Sequence, residues 1–133
     1  MPPYYPHMMP EDIPVWERWL ALHDSPDLTY TYDVKVGESI TSPEDTPEPW
    51  ATMAYTLAKK RIDVVITSPT KITIVEVKRL AGWTALGQML GYPVLFDNEF
   101  QPEMPVDSLL IAEALTLDTK TTLDFHKIPY ELV

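Results

Sequence analysis

The sequence predicts an α/β protein with one mixed sheet, centred on a β-hairpin and flanked by helices. Two runs rich in Ile and Val, 61–67 and 71–79, bracket Ser68-Pro69-Thr70, the pattern of a hairpin. Both runs are almost continuously apolar, as strands covered on both faces are. Segments with helical spacing, 11–23 and 81–96, lie before and after them, so the order is that of strands and helices sharing one core.

With 133 residues the chain is expected to form a single domain over 11–133, preceded by an extended arm, 1–10, rich in proline and tyrosine. Prolines favour extended backbone that does not pair in sheets, and such an arm is suited to lying on a neighbour. There is no cysteine, which excludes disulfides, thiolate zinc sites and cysteine nucleophiles and fits a reducing compartment. No long apolar run suggests a membrane span, and the first residues lack the basic and apolar regions of a secretory signal. A cytoplasmic setting is expected, in a host cell or a virion if the chain is phage-encoded.

In the first helix, 11–23, Glu11 and Asp12 occupy the first turn, where acids suit the helix dipole. Ile13, Trp16, Leu20 and His23 recur at helical spacing, with Trp19 and Leu22 widening the stripe. Residues 28–38 alternate and read as a strand; 39–49 form a polar loop with three prolines, and 50–59 a short irregular turn. The hairpin follows. The helix 81–96 is expected to end near Tyr92-Pro93, and Trp83, Gly87 and Gly91 form a smooth stripe suited to close packing on the sheet. Each glycine costs a helix about 1 kcal/mol relative to alanine. A buried strand over 106–116, a turn of helix over 118–125 and an edge strand over 126–132 complete the chain.

The net charge is −10, which argues against broad binding to a phosphate backbone. Its distribution is uneven. Residues 1–50 hold ten acids and two bases, and 93–133 hold eight acids and two bases. Residues 51–92 hold six bases (Lys59, Lys60, Arg61, Lys71, Lys78, Arg79) and only two acids, Asp63 and Glu76, so this third carries 6 − 2 = +4.

Those two acids are the candidate site. Ile72, Ile74, Glu76 and Lys78 share one face of their strand by alternation, so an apolar face turns charged at its end. Asp63 lies near the same open end of the hairpin, which brings the carboxylates together. Close carboxylates repel, more so when buried, and Mg²⁺ or Mn²⁺ relieves this because hard cations prefer oxygen. The Val77 carbonyl lies between Glu76 and Lys78 as a third oxygen. Lys78 can orient or deprotonate water, or stabilise charge on a phosphoryl oxygen. Lys59, Lys60, Arg61 and Arg79 are candidate phosphate contacts. Trp16, Trp19, Trp50 and Trp83 read as core or interface. His7, His23 and His126 are scattered without metal-ligand spacing and read as structural.

Arg61-Ile62-Asp63, twelve residues, Glu76-Val77-Lys78, then Ala85-Leu86-Gly87-Gln88-Met89-Leu90-Gly91-Tyr92 resembles the PD-(D/E)XK, or restriction-endonuclease-like, superfamily. The resemblance implies an α-β-β-β-α-β core, metal binding by Asp63 and Glu76, a catalytic Lys78, and a Gln88 that places DNA or water, with Tyr92 beside it on the helix. It also implies an acid on the first helix, for which Glu17 is the candidate. Ile62 stands where the family's proline would be. Two functional readings follow. One is a Mg²⁺- or Mn²⁺-dependent nuclease acting on DNA. The other is a catalytically silent nuclease fold serving as an interaction component of a larger assembly such as a phage particle, in line with the acidic net charge and the arm.

Overall fold

The computed structural model describes residues 4–37, 47–49 and 60–133. Lys59, Trp50 and most of the expected 39–59 loop lie outside them. The elements are α1 (Ile13–His23), β1 (Thr29–Val36), β2 (Lys60–Thr67), β3 (Ile72–Ala81), α2 (Trp83–Phe100), β4 (Val106–Leu115), α3 (Leu117–Phe125) and β5 (Tyr130–Leu132). They form one five-stranded sheet in the order β1-β2-β3-β4-β5. The pairs β1/β2 and β2/β3 are antiparallel; β3/β4 and β4/β5 are parallel. Among the described residues no helix is long and apolar enough to cross a membrane.

The hairpin forms because Ser68 N–H donates to the Lys71 carbonyl at 2.9 Å, and the Ser68 hydroxyl accepts from the Thr70 and Lys71 N–H groups. Its two strands are covered on both sides. On one face, Val15, Trp16 and Trp19 of α1 pack against Val64, Ile66, Val75, Val77 and Ile111. Trp16 is fully buried, which contributes roughly 2–3 kcal/mol. On the other face, α2 packs twice: Ala85, Leu86 and Met89 meet Leu110, Ala112 and Leu123, and Phe96 meets Val36, Ile62, Val65, Ile72 and Ile74.

Near Asp33 the sheet changes face. Tyr30 and Tyr32 pack on the α1 side, yet Val34 and Val36 pack on the α2 side. In a regular strand all four would share one face. Asp33, with φ 57°, makes the switch. Across from it β2 switches too, with Val64 on the α1 side and Ile62 on the α2 side. Asp63 sits at that break, and the regular β1/β2 pairing resumes on either side of it.

Part of the arm packs on its own domain: Tyr5 and Met8 are buried in the α1-side core, and the Tyr5 ring lies 5.3 Å from that of Tyr32. Two expectations change. Helix α2 does not stop at Pro93 but runs on to Phe100, because burial of Phe96 beneath the β1–β3 strands rewards the extra turns. The Trp83/Gly87/Gly91 stripe does not pack on the sheet. Trp83 is 60% exposed, and a Cβ placed on either glycine would meet no atom within 4 Å. Ala85, Leu86 and Met89 take the sheet side instead.

Candidate active site

The β2/β3 pairing holds from Thr67↔Ile72 to Val64↔Val75 and ends there. The next opposed residues are Asp63 and Glu76. Beyond this point β3 continues beside β4, so β2 and β3 part and leave backbone N–H groups that must be satisfied. The two carboxylates do this reciprocally. The Asp63 N–H donates to Glu76 Oε1 at 3.1 Å, and the Val77 N–H donates to Asp63 Oδ2 at 3.0 Å. Both acids are buried, Asp63 at 7% exposure and Glu76 at 1%. Burial, and then the neighbouring Asp63 charge, push the Glu76 carboxyl well above the usual carboxylate range, with Lys78 pulling modestly the other way.

The parting strands open a cleft of about 490 Å³ lined by Asp63, Glu76, Lys78, Gln88 and Tyr92, with Lys60, Arg61, His7, Met9 and Asp12. Gln88 and Tyr92 are one turn apart on α2, and Gln88 Nε2 donates to the Tyr92 hydroxyl at 3.4 Å. Burial raises the Tyr92 phenol above its usual value. Gln88 Oε1 is buried and has no hydrogen-bond partner among the described residues, a costly state for a buried acceptor. Arg61 is committed to Asp33 by a two-pronged ion pair at 2.7 and 2.6 Å, which holds the Asp33 carboxyl below the usual range.

Most sequence-derived site residues therefore converge on one cleft. Arg79 reaches it through its backbone: its N–H donates to Asp12 Oδ1 at 2.7 Å, while its side chain is exposed. Glu17 does not converge. It is exposed and absent from the cleft lining, because α1 turns Val15, Trp16 and Trp19 to the sheet and the residue after Trp16 then points to solvent.

The α1 acid that does enter the cleft is Asp12. It sits at the N-cap of α1 but makes no cap hydrogen bond with its side chain, being drawn instead to β3. It is 6% exposed, and burial raises its pKa against the opposing pulls of the Arg79 N–H and Lys78, with Asp63 adding to the rise. Its only mark in the sequence was its place in the first turn. His7, which the sequence left as structural, and Met9, which it did not single out, line the cleft because tertiary packing of the arm brings them in. His23 is stacked on Trp19 at 4.4 Å between ring centroids and lies 3.3 Å from Glu131 Oε2.

Among the described residues no group of three or more His, Cys, Asp or Glu side chains is drawn together as a metal cluster. The donor chemistry nonetheless fits a hard divalent cation. Burial and the nearby Asp63 charge raise the cost of ionising Glu76, Asp12 lines the same cleft, and Gln88 Oε1 is a buried oxygen there without a hydrogen-bond partner among the described residues. All of these are oxygen donors of the kind Mg²⁺ and Mn²⁺ take.

No family profile matches the chain, and no curated protein is similar to it in sequence. Two solved structures match its fold. One is EndoMS in complex with dsDNA, with a TM-score of 0.55 and 14% identity, covering 100% of this chain and 48% of that one. The other is a repair endonuclease from Pyrococcus abyssi, with a TM-score of 0.55 and 16% identity, covering 100% of this chain and 49% of that one. This chain thus spans about half the length of either. The α-β-β-β-α-β order, the hairpin that opens at Asp63 and Glu76, and these two superpositions identify the fold of the chain as restriction-endonuclease-like.

Proposed function

We propose that this chain is a metal-dependent nuclease domain that hydrolyses phosphodiester bonds, in DNA first of all. The observation that carries the reading is the reciprocal Asp63/Glu76 pairing at the point where β2 and β3 part, with Lys78 and Gln88 in the same cleft. The cofactor is Mg²⁺ or Mn²⁺, held by Asp63, Glu76 and the Val77 carbonyl, with Asp12 rather than Glu17 as the α1 acid. When bound, it supplies positive charge to phosphoryl oxygens and acidifies water.

The chain's own residues do the rest. Lys78 orients the attacking water and stabilises charge developing on the phosphoryl oxygen. Gln88 uses its orphaned Oε1 to accept a hydrogen bond from that water or from a base. Lys60, Arg61, Arg79 and Tyr92 line the approach of the phosphate backbone, and Lys59 extends the basic run. The choice of DNA draws support from the fold shared with an endonuclease solved on dsDNA.

The test is cleavage of single- and double-stranded DNA and RNA by the purified chain with Mg²⁺ or Mn²⁺. Lys78→Ala is expected to reduce cleavage by at least about 100-fold, the scale of removing one transition-state donor. Equal cleavage by wild type and Lys78→Ala would refute the reading. The net charge of −10 favours a second reading, a silent nuclease fold acting as an interaction module. Absence of divalent-ion binding by the wild type, measured by calorimetry, is the result that reading requires.

A further inference from the structure

The face of α2 turned away from the sheet is apolar and is left uncovered by the described residues. Trp83, Leu90 and Val94 are 60%, 49% and 57% exposed, and Gly87 has open space where a Cβ would stand. Together with Asp97 these residues follow one another at spacings of four, three, four and three. That is the 3.5-residue period of a seam along which two helices pack. Glycine weakens a helix interior, and no described residue of the protomer makes use of Gly87 or Gly91. An approaching backbone would use both.

The charges on α2 indicate what approaches. The helix has no side-chain cap at its N-terminus, no acid in its first turn and no base in its last. Asp97 stands near its C-terminal end, where the helix dipole disfavours an acid. The seam is centred on Leu90, with Trp83 and Asp97 seven residues to either side. A second copy of α2 running antiparallel would therefore set Asp97 of each copy beside the open N-terminus of the other, which relieves both defects at once. The rest of the seam is uncharged, so two chains of net charge −10 meet there without opposing like charges.

We propose that this face is a self-association surface: two copies pair through α2, antiparallel about a two-fold axis at Leu90. The two-fold makes the contact isologous and closed, a dimer and no further. The proposal does not depend on nuclease activity, since Gln88 and Tyr92 face the cleft on another side of the helix.

The test is the mass of the 133-residue chain by sedimentation and light scattering across concentration and salt. A species of twice the 15.2 kDa chain mass is expected, strengthening as salt screens the two acidic chains. Leu90→Asp places two carboxylates at the axis and is expected to weaken the dimer on the order of 100-fold. Leu90 is half exposed, so circular dichroism of this variant should match wild type. Asp97→Lys is expected to weaken the dimer less, by roughly 3- to 10-fold. Phe125→Asp, at a residue 79% exposed on α3, is expected to leave it intact. In parallel, Trp83 should lose accessibility to acrylamide as the dimer forms. A monomer under all conditions, including one whose α2 face is covered by further chain in a longer protein, would overturn the proposal. So would a dimer that survives Leu90→Asp, or one that Phe125→Asp disrupts equally.

Discussion

Glu76 is nearly sealed from solvent, opposite a second acid, and its proton is held far more tightly than a free carboxyl would hold it. Such a group costs the fold stability near neutral pH, when its charge is unmatched by a cation. Glu76→Gln keeps an oxygen to accept from the Asp63 N–H and removes the charge. It is expected to stabilise the metal-free protein by on the order of 1 kcal/mol in urea unfolding at pH 7 while abolishing divalent-ion binding, the usual trade between stability and function. A loss of stability in this variant would show that Glu76 is structural.

Asp33 behaves oppositely. Its pKa is lowered by Arg61, so the native state binds its proton less tightly than the unfolded chain does. Its contribution to stability is fully present above the ordinary Asp value and is lost as pH falls through the lowered one. Urea unfolding should therefore show a gap between wild type and Asp33→Asn at pH 7 that closes in acid. A gap that persists at pH 2–3 would assign Asp33's effect to its backbone conformation rather than to the ion pair.

At the scale of elements, α2 carries the largest departure from sequence expectation. A proline inside a helix removes one hydrogen bond and crowds the preceding turn, at a cost of about 3 kcal/mol. Here Pro93 is tolerated because Leu95 and Phe96 beyond it dock against the hydrophobic cluster of β1, β2 and β3. Pro93→Ala is expected to raise thermal stability by on the order of 1 kcal/mol, read as a higher Tm. If Tm instead falls, the backbone that Pro93 imposes is needed to aim Phe96. Residues Gln88 and Tyr92 lie just before the proline on the cleft side, so the same substitution also reports whether Pro93 helps to position them.

At the scale of the whole molecule, the charge distribution limits how nucleic acid can bind. The cleft offers Lys60, Arg61 and Lys78, and Arg61 already serves Asp33. A duplex-binding protein that neutralises many phosphates loses affinity steeply with salt, by a slope of about −0.9 per phosphate contact. This chain is expected to show a shallow slope of roughly −2 to −3 in a logarithmic plot of affinity against salt. Fluorescence anisotropy with a labelled oligonucleotide across salt concentrations measures it. A slope near −6 would require a second basic surface.

The sequence by itself determined the hairpin, the succession of helices and strands along the chain, and the convergence of Asp63, Glu76 and Lys78, because these depend on local rules. Side chains alternate along strands, a short turn fixes the register, and a carboxylate opposite a carboxylate follows from counting. Gln88 and Tyr92 were legible through the family resemblance, by their spacing on one helix, rather than through any such rule. Tertiary structure alone decided which acid of α1 enters the cleft. The sequence pointed to Glu17 and marked Asp12 only as a first-turn acid; the docking of Val15, Trp16 and Trp19 on the sheet turns Asp12 inward and Glu17 out. It also decided that the proline-tyrosine arm is held by its own core through Tyr5 and Met8, and that the glycine stripe of α2 faces outward. Both outcomes depend on packing between segments distant in sequence, which no local periodicity records.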